Sequence, residues 1–250
     1  MSTVVDAYWA APAIARTVAT LVFVCSLGVY TELFSIGPFW FHWRFLFKFP
    51  PAVYRLVTSF LITGPQIGVL LDTYFVYSYL SQLEKGNSKF SRKEDLIWYL
   101  MVVGSVIIFL DQAFVGFGRY LPALLIAICY TATQDQRGQM AHFYVVTIPA
   151  QLMPYALLLL NLLNGWIMVQ ICLCGLVAAH FHDFCTRLYP EFGGGPNLLP
   201  TPWFLSWIMS TPRVSNTSYG SSYVPPRDDQ PRGGPLPDSW RSAGPGRRLG

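Results

Sequence analysis

Charge is what this chain has least of: 12% of its 250 residues are Asp, Glu, Lys or Arg, against 53% hydrophobic. That leaves too little polar surface to solvate a globule of this length, so the chain reads as an integral membrane protein. A basic patch interleaved with aromatics is also missing, which removes nucleic-acid binding. The formal charge of +4 lies in bases of the loops and tail, where it sets topology. No paired CxxC pattern occurs among Cys25, Cys129, Cys172, Cys174 and Cys185. All five fall in or beside apolar runs and read as small packing residues, neither disulfides nor zinc ligands. The segment VVDAYWAAPAIAR lacks the basic n-region and small-residue cleavage site of a secretory signal, so the first span is expected to act as its own insertion signal.

What the chain does have is a series of apolar runs. A helix needs roughly 20 apolar residues to cross a hydrocarbon core about 30 Å thick. Six candidate spans follow, at about 17–36, 66–83, 96–115, 120–133, 142–163 and 165–188, the fourth short and the fifth starting at His142. Residues 1–16 precede them as an interfacial segment, with Tyr8 and Trp9 at headgroup depth. Residues 17–188 are expected to form the membrane domain, 189–212 a post-membrane segment and 213–250 a disordered tail. That tail is Pro, Gly, Ser and Arg with few aliphatics and cannot bury enough surface to offset chain entropy. With an even number of spans, one side holds 13 of the Lys and Arg residues and the other 4, which places both termini in the cytosol. The three bases Arg44, Lys48 and Arg55 on the lumenal side fit if their aromatic-rich loop lies in the interface and the cations snorkel outward. The sequon at Asn216 offers a topology check, because only a lumenal tail would be glycosylated.

The stretch 54–84 reads YRLVTSFLITGPQIGVLLDTYFVYSYLSQLE, broken by Gly64-Pro65 and carrying Asp72 in its second half. A carboxylate inside a membrane run costs several kcal/mol on most scales unless it faces protein or water, so Asp72 is a functional or packing position in need of a donor. Arg55, the LVTSFL run, Gly64-Pro65, the tyrosine-rich helix and the closing Leu83-Glu84 together resemble the loop-to-second-helix region of the Derlins, rhomboid-like proteins of the endoplasmic reticulum membrane. The resemblance extends over roughly residues 8–209. The short fourth run with its polar exit, GLVAAHFHDF at 175–184 and GGGPNLLPTPWFL at 193–205 match in order and spacing. There are departures: Tyr54 stands where a Trp is typical, Asp72 where an Asn is common, and Ala179 in place of the second Gly of the sixth helix. Tyr keeps an interfacial aromatic, and Gly175 with Ala179 still forms a small-xxx-small pair that lets helices approach.

The resemblance implies an all-α integral membrane fold, a six-helix rhomboid-like bundle followed by a disordered C-terminal tail. It also frames the question of enzyme chemistry. Rhomboid proteases pair a fourth-helix Ser with a sixth-helix His, and Ala179-His180 resembles the protease's Ala-His pair. A serine hydroxyl needs a base within hydrogen-bond reach before it attacks, so both residues are required. Between Ser105 and Thr131 the only Ser, Thr or Cys is Cys129, about 10 residues or 15 Å along the helix from the expected depth. His180 is therefore expected to serve as an interhelical hydrogen bond, and no catalytic residue is assigned. A metal site from His180, His182 and Asp183, with His142 recruited, is disfavoured because ligands at i and i+2 diverge around a helix. No cofactor is expected.

The implied function is that of a pseudoprotease in endoplasmic-reticulum-associated degradation. Such a protein takes misfolded clients laterally from the lumen or membrane and passes them to the cytosol, alongside a membrane ubiquitin ligase complex. The short fourth helix would relieve hydrophobic mismatch by thinning the bilayer. Asp72, Gln151, His180 and Asp183 are candidates to line a hydrated cavity, or to pair with one another and seal it. Tyr54 and Arg55 are a candidate anchor for the first loop, with plain snorkelling of Arg55 as the alternative. At the tail, GPGRRLG preceded by Trp240 resembles the box by which several Derlins bind the ubiquitin-directed AAA ATPase, with Gly244, Gly246 and Leu249 in place. An extended Gly-rich strand suits binding to a sheet edge or groove. The competing functions are an active intramembrane protease and a small transporter, the latter without visible inverted repeats.

Overall fold

The computed structural model describes residues 4–49, 51–86, 90, 92–134, 136, 138–143, 146–194, 196–209, 213–217 and 220–224. The chain divides into two units, Met1–Thr211 and Pro212–Gly250.

The first unit is a helical membrane bundle. Helix α1 (Val4–Ala10) exposes Tyr8 and Trp9. After Pro12 the chain enters α2 (Ala13–Tyr30), which packs along α4 (Gly68–Gly86). Between them runs a long first loop with short turns at Gly37–Phe39 and Trp43–Phe45 and the single-turn α3 (Arg55–Thr58). Helix α5 (Lys93–Leu110) opens on Glu94 and Asp95, which favour the positive end of the helix dipole. It continues as a π-helical turn, Asp111–Val115, stopped by Gly116 in the left-handed region. Helix α6 (Leu121–Thr133) is the centre of the bundle, because nearly every side chain of LPALLIAICYTAT is buried and α4, α5, α7 and α8 all pack on it. Helices α7 (Met153–Leu162) and α8 (Trp166–Asp183) form the next pair, joined across Gly165. A π-helical turn, Phe184–Leu188, carries α8 into α9 (Tyr189–Gly193), and α10 (Trp203–Met209) closes the unit.

Three of these helices are long and apolar enough to cross a membrane by length and composition: Ala13–Tyr30, Lys93–Val115 and Trp166–Gly193. Helix α4 has the length but carries Asp72, Glu84 and Lys85. The expected fifth span differs from the structure. Where a helix from His142 is predicted, the chain forms an antiparallel hairpin of β1 (Met140–Phe143) and β2 (Val146–Pro149), and α7 starts only at Met153. The β-branched Val146, Thr147 and Ile148 prefer extended backbone, and Pro149 has no N–H to give a helix ladder. With 10 residues α7 is about 15 Å long, and with 13 residues α6 is about 20 Å, so two neighbouring helices fall short of the hydrocarbon thickness.

The start of α2 is capped from outside its own sequence. Glu84, one turn from the end of α4, accepts the backbone N–H groups of Ile14 and Ala15, each at 3.0 Å. Because the N-cap, Pro12, has no N–H, α2 has three orphan donors, and two of them are satisfied by a carboxylate that also complements its dipole. Replacing Glu84 with Ala is expected to cost roughly 1 kcal/mol, the usual worth of an N-cap, read as a lower thermal midpoint in detergent. An unchanged midpoint would show that water caps α2 as well.

In the second unit the described residues form an antiparallel hairpin of β3 (Arg213–Thr217) and β4 (Gly220–Val224), where composition predicts no regular structure. Trp240, Gly244, Gly246 and Leu249 lie outside the described residues.

Candidate functional site

The candidate side chains gather at the two ends of α6 and at one close approach along it. At the Leu121 end the first loop is fastened to the turn after α5. The carboxylate of Asp111, fully buried on its π-helical turn, accepts from the backbone N–H of Phe117 (2.8 Å) and of Gly118 (3.2 Å), the Tyr120 hydroxyl (3.0 Å) and the Gln112 amide (2.8 Å). Gln112 in turn accepts from the Trp43 backbone N–H at 3.1 Å, and the Gly118 carbonyl accepts from Phe41 N–H at 2.9 Å. Gly118 is required here: its φ is +80°, and a Cβ would collide with the Trp40 indole and the Phe41 carbonyl. Extra residues in a helix ladder, as in this π turn, free backbone and side chains to make such side contacts.

Arg55 works on the same loop. Its Nη1 donates to the carbonyls of Gly37 (2.5 Å) and Trp40 (2.7 Å), and the guanidinium lies 4.1 Å from the centre of the Phe45 ring. Tyr54, half exposed, offers its own ring at 5.7 Å. Arg55 thus spends Nη1 on loop backbone while its plane stacks on aromatics, which a lysine cannot do.

In the first turn of α6, Ala123 sits against Gly175 of α8. A Cβ at Gly175 would strike the Ala123 carbonyl and Cα, so the absent side chain is what lets the two backbones meet. Ala179, one turn on, is buried in the core.

At the Thr133 end, His180 meets Tyr130: the hydroxyl and Nδ1 are 3.0 Å apart and the rings 4.3 Å between centroids. The imidazole therefore stands at the depth of Cys129, not at the start of α6. The Cys129 thiol, buried, faces the Tyr79 hydroxyl instead. Beside this pair Tyr99 bonds Thr131 (2.8 Å) and the Ala127 carbonyl (3.0 Å), and its ring meets His182 edge-on at 4.8 Å. Asp183 takes a two-pronged contact from Arg187, at 3.0 and 2.9 Å, and a third bond from Gln134 at 2.9 Å. Of these groups Thr131, His182, Asp183 and Arg187 line a pocket of about 540 Å³, whose lining continues onto the segment 197–201. That segment is strapped to α5 by Thr201 donating to Asp95 (2.7 Å) and by Trp98 donating to the Leu199 carbonyl (3.3 Å).

The four residues singled out as cavity candidates occupy three places. Asp72 lies near the start of α4, where it accepts the Gly64 N–H at 2.8 Å and pins the Gly64-Pro65 turn to its own helix. Gln151 is exposed on the turn before α7. His180 and Asp183 come together at the far end of α6, and Asp183 borders the cavity there. Sequence reasoning missed Asp111, Gln112, Tyr120, Tyr99 and Tyr130. The argument that flags Asp72, a carboxylate within an apolar run, applies equally to Asp111.

Across this arrangement, a model of the Der1-like family matches residues 11–203. The chain belongs to the Der1-like family. It is 28% identical to Derlin-1 of Homo sapiens over 261 residues, covering 100% of this chain and 99% of that protein. It is 24% identical to Derlin-1.2 of Zea mays over 224 residues, 86% of this chain and 88% of the relative. Derlin-1 of Arabidopsis thaliana is 28% identical over 170 residues, 65% of this chain and 61% of its own. The matched stretch contains the Arg55 and Asp111 clusters, the Gly175 contact and the Tyr130–His180 pair, while the tail candidates Trp240, Gly244, Gly246 and Leu249 lie beyond it.

Proposed function

We propose that this Der1-like protein is a non-catalytic component of endoplasmic-reticulum-associated degradation, resident in the endoplasmic reticulum membrane with both termini in the cytosol. It admits misfolded lumenal or membrane clients laterally, and a membrane ubiquitin ligase complex and a cytosolic ubiquitin-directed AAA ATPase, held by the tail around Trp240, Gly244, Gly246 and Leu249, receive them. The observation that carries the reading is the short pair α6 and α7 at the heart of a Der1-like bundle. Helices of about 20 and 15 Å thin the bilayer around them, which lowers the barrier for a polar client segment. Helix α7 packs on α6 and α8, whereas among the described residues no extensive packing joins α7 to α4, the side by which a client would enter. His180 spends Nδ1 on Tyr130, and the buried Cys129 thiol has the Tyr79 hydroxyl as its neighbour, which supports a role without bond cleavage.

The test is a pull-down of the full chain from mild detergent, scored for the ATPase and the ligase. Both are expected to co-purify. Deleting 244–250 should reduce the ATPase at least tenfold while leaving the ligase and membrane insertion intact. Replacing His180 with Ala should leave client turnover within about twofold. Recovery of neither partner, or a purified protein that cuts a membrane-embedded peptide only when His180 is present, would overturn the proposal.

A further inference from the structure

Outside the site just described, a groove of about 430 Å³ runs between α2 and α4 from the end of α1 toward mid-membrane. Its mouth carries Arg16. Phe23, Leu70 and Thr73 line its deeper part, and Leu70 is well exposed on the lipid-facing side. We propose that this groove is a binding site for one anionic glycerophospholipid of the leaflet that holds the N-terminus, with the phosphate on Arg16 and an acyl chain between α2 and α4.

Size decides first. A transmembrane helix about 10 Å across and 30 Å long displaces on the order of 2,000 Å³, several times the groove, so a client helix does not fit where a single hydrocarbon chain does. Wall chemistry points the same way. The Tyr8 hydroxyl bonds Thr20 at 3.0 Å, Thr20 donates to the Arg16 carbonyl at 2.8 Å, and Thr73 donates to the Val69 carbonyl at 2.6 Å. With those hydroxyls turned onto the protein, the groove presents hydrocarbon, which serves an acyl chain and leaves the polar backbone of an extended peptide unsatisfied.

Charge selects the headgroup. The Arg16 guanidinium is stacked over the rings of Tyr8 (5.2 Å) and Trp9 (4.4 Å), with Nη1 donating to the carbonyls of Tyr8 (3.3 Å) and Trp9 (3.0 Å). Among the described residues no carboxylate pairs with it and no acceptor is bonded to its Nη2 or Nε. The stacking holds the plane in place, and the remaining edge is the fork that matches a phosphate. An anionic headgroup gains further from the interfacial position of a cation at this depth.

The experiment is native mass spectrometry of the full chain taken from detergent after incubation with vesicles of equal phosphatidylserine and phosphatidylcholine. One phosphatidylserine adduct is expected, favoured at least tenfold over phosphatidylcholine. Arg16→Gln should erase the preference, and Arg16→Lys, which keeps the charge and loses the fork, should retain part of it. Thr73→Phe, which fills the groove far from the headgroup, should remove the adduct from protein that still elutes as a single species. Equal retention of the two lipids would mean annular lipid only and would overturn the proposal. So would a serine-lipid preference that survives Arg16→Gln, an adduct unmoved by Thr73→Phe, or a photo-crosslinker at Tyr74 that captures polypeptide in place of lipid.

Discussion

Gly175→Leu should unseat α8 from α6 and destabilise the bundle by about 3 kcal/mol or more, the upper range for forcing extra atoms into a packed core. The reason is what stands opposite. A neighbouring side chain can rotate away, but a Cβ at Gly175 meets the carbonyl and Cα of Ala123, which are part of the helix that the whole bundle packs around. In membranes the close approach of small residues is itself the source of helix association, so the variant loses attraction as well as gaining a clash. Gly175→Ala should already lower the thermal midpoint in detergent, by a smaller step. Both variants should shorten the cellular half-life of the protein, and the leucine variant should block client turnover. A leucine variant with the parent's midpoint would show that α8 can slide without loss and would remove the argument for this contact.

Asp111→Ala is expected to have an effect of similar size with a different signature. The carboxylate has no exposure to solvent and gathers two backbone N–H groups, a phenol and an amide, so its removal strands several buried donors at about 1–3 kcal/mol each before relaxation. The damage should spread to the first loop, because Gln112 and Gly118 fasten Trp43 and Phe41 to the same turn. Limited proteolysis is therefore expected to cut the 31–67 loop at least tenfold faster in Asp111→Ala, while Tyr120→Phe, which removes one donor of the four, shifts the midpoint by only about 1 kcal/mol. Asp111→Asn should fall between, since its amide keeps one acceptor but points donor at donor. Unchanged loop cleavage in the alanine variant would mean that the aromatics of the loop hold it without the carboxylate.

The helical class was legible because lipid forces it: a chain with so few charges must satisfy its backbone internally, and long apolar runs do so as helices. Five of the six runs lie within a few residues of a helix for that reason. The fifth run, from His142, was misplaced because hydropathy is blind to backbone preference, and Val146-Thr147-Ile148-Pro149 is as apolar as a helix while favouring a strand. Gly175 was readable as a contact from its spacing to Ala179. The partner of Asp72 was not, since the donor is the backbone of Gly64, and every residue except proline has that N–H.

Composition and order alone settled that this is a helical membrane protein of the Der1-like kind, because burial in lipid and the succession of motifs are properties that read along a line. Which groups meet across the line was left to packing. The depth of His180 is an example: it lies 50 residues beyond Tyr130 in sequence, yet the parallel placement of α8 on α6, with Gly175 at Ala123, brings it to that phenol and beside Cys129. Glu84 on α2, Asp111 under the first loop and the groove beside Arg16 have the same origin. Each joins residues distant in sequence whose distance in space depends on how helices cross, and crossing is decided by the shapes of whole faces that no local pattern encodes.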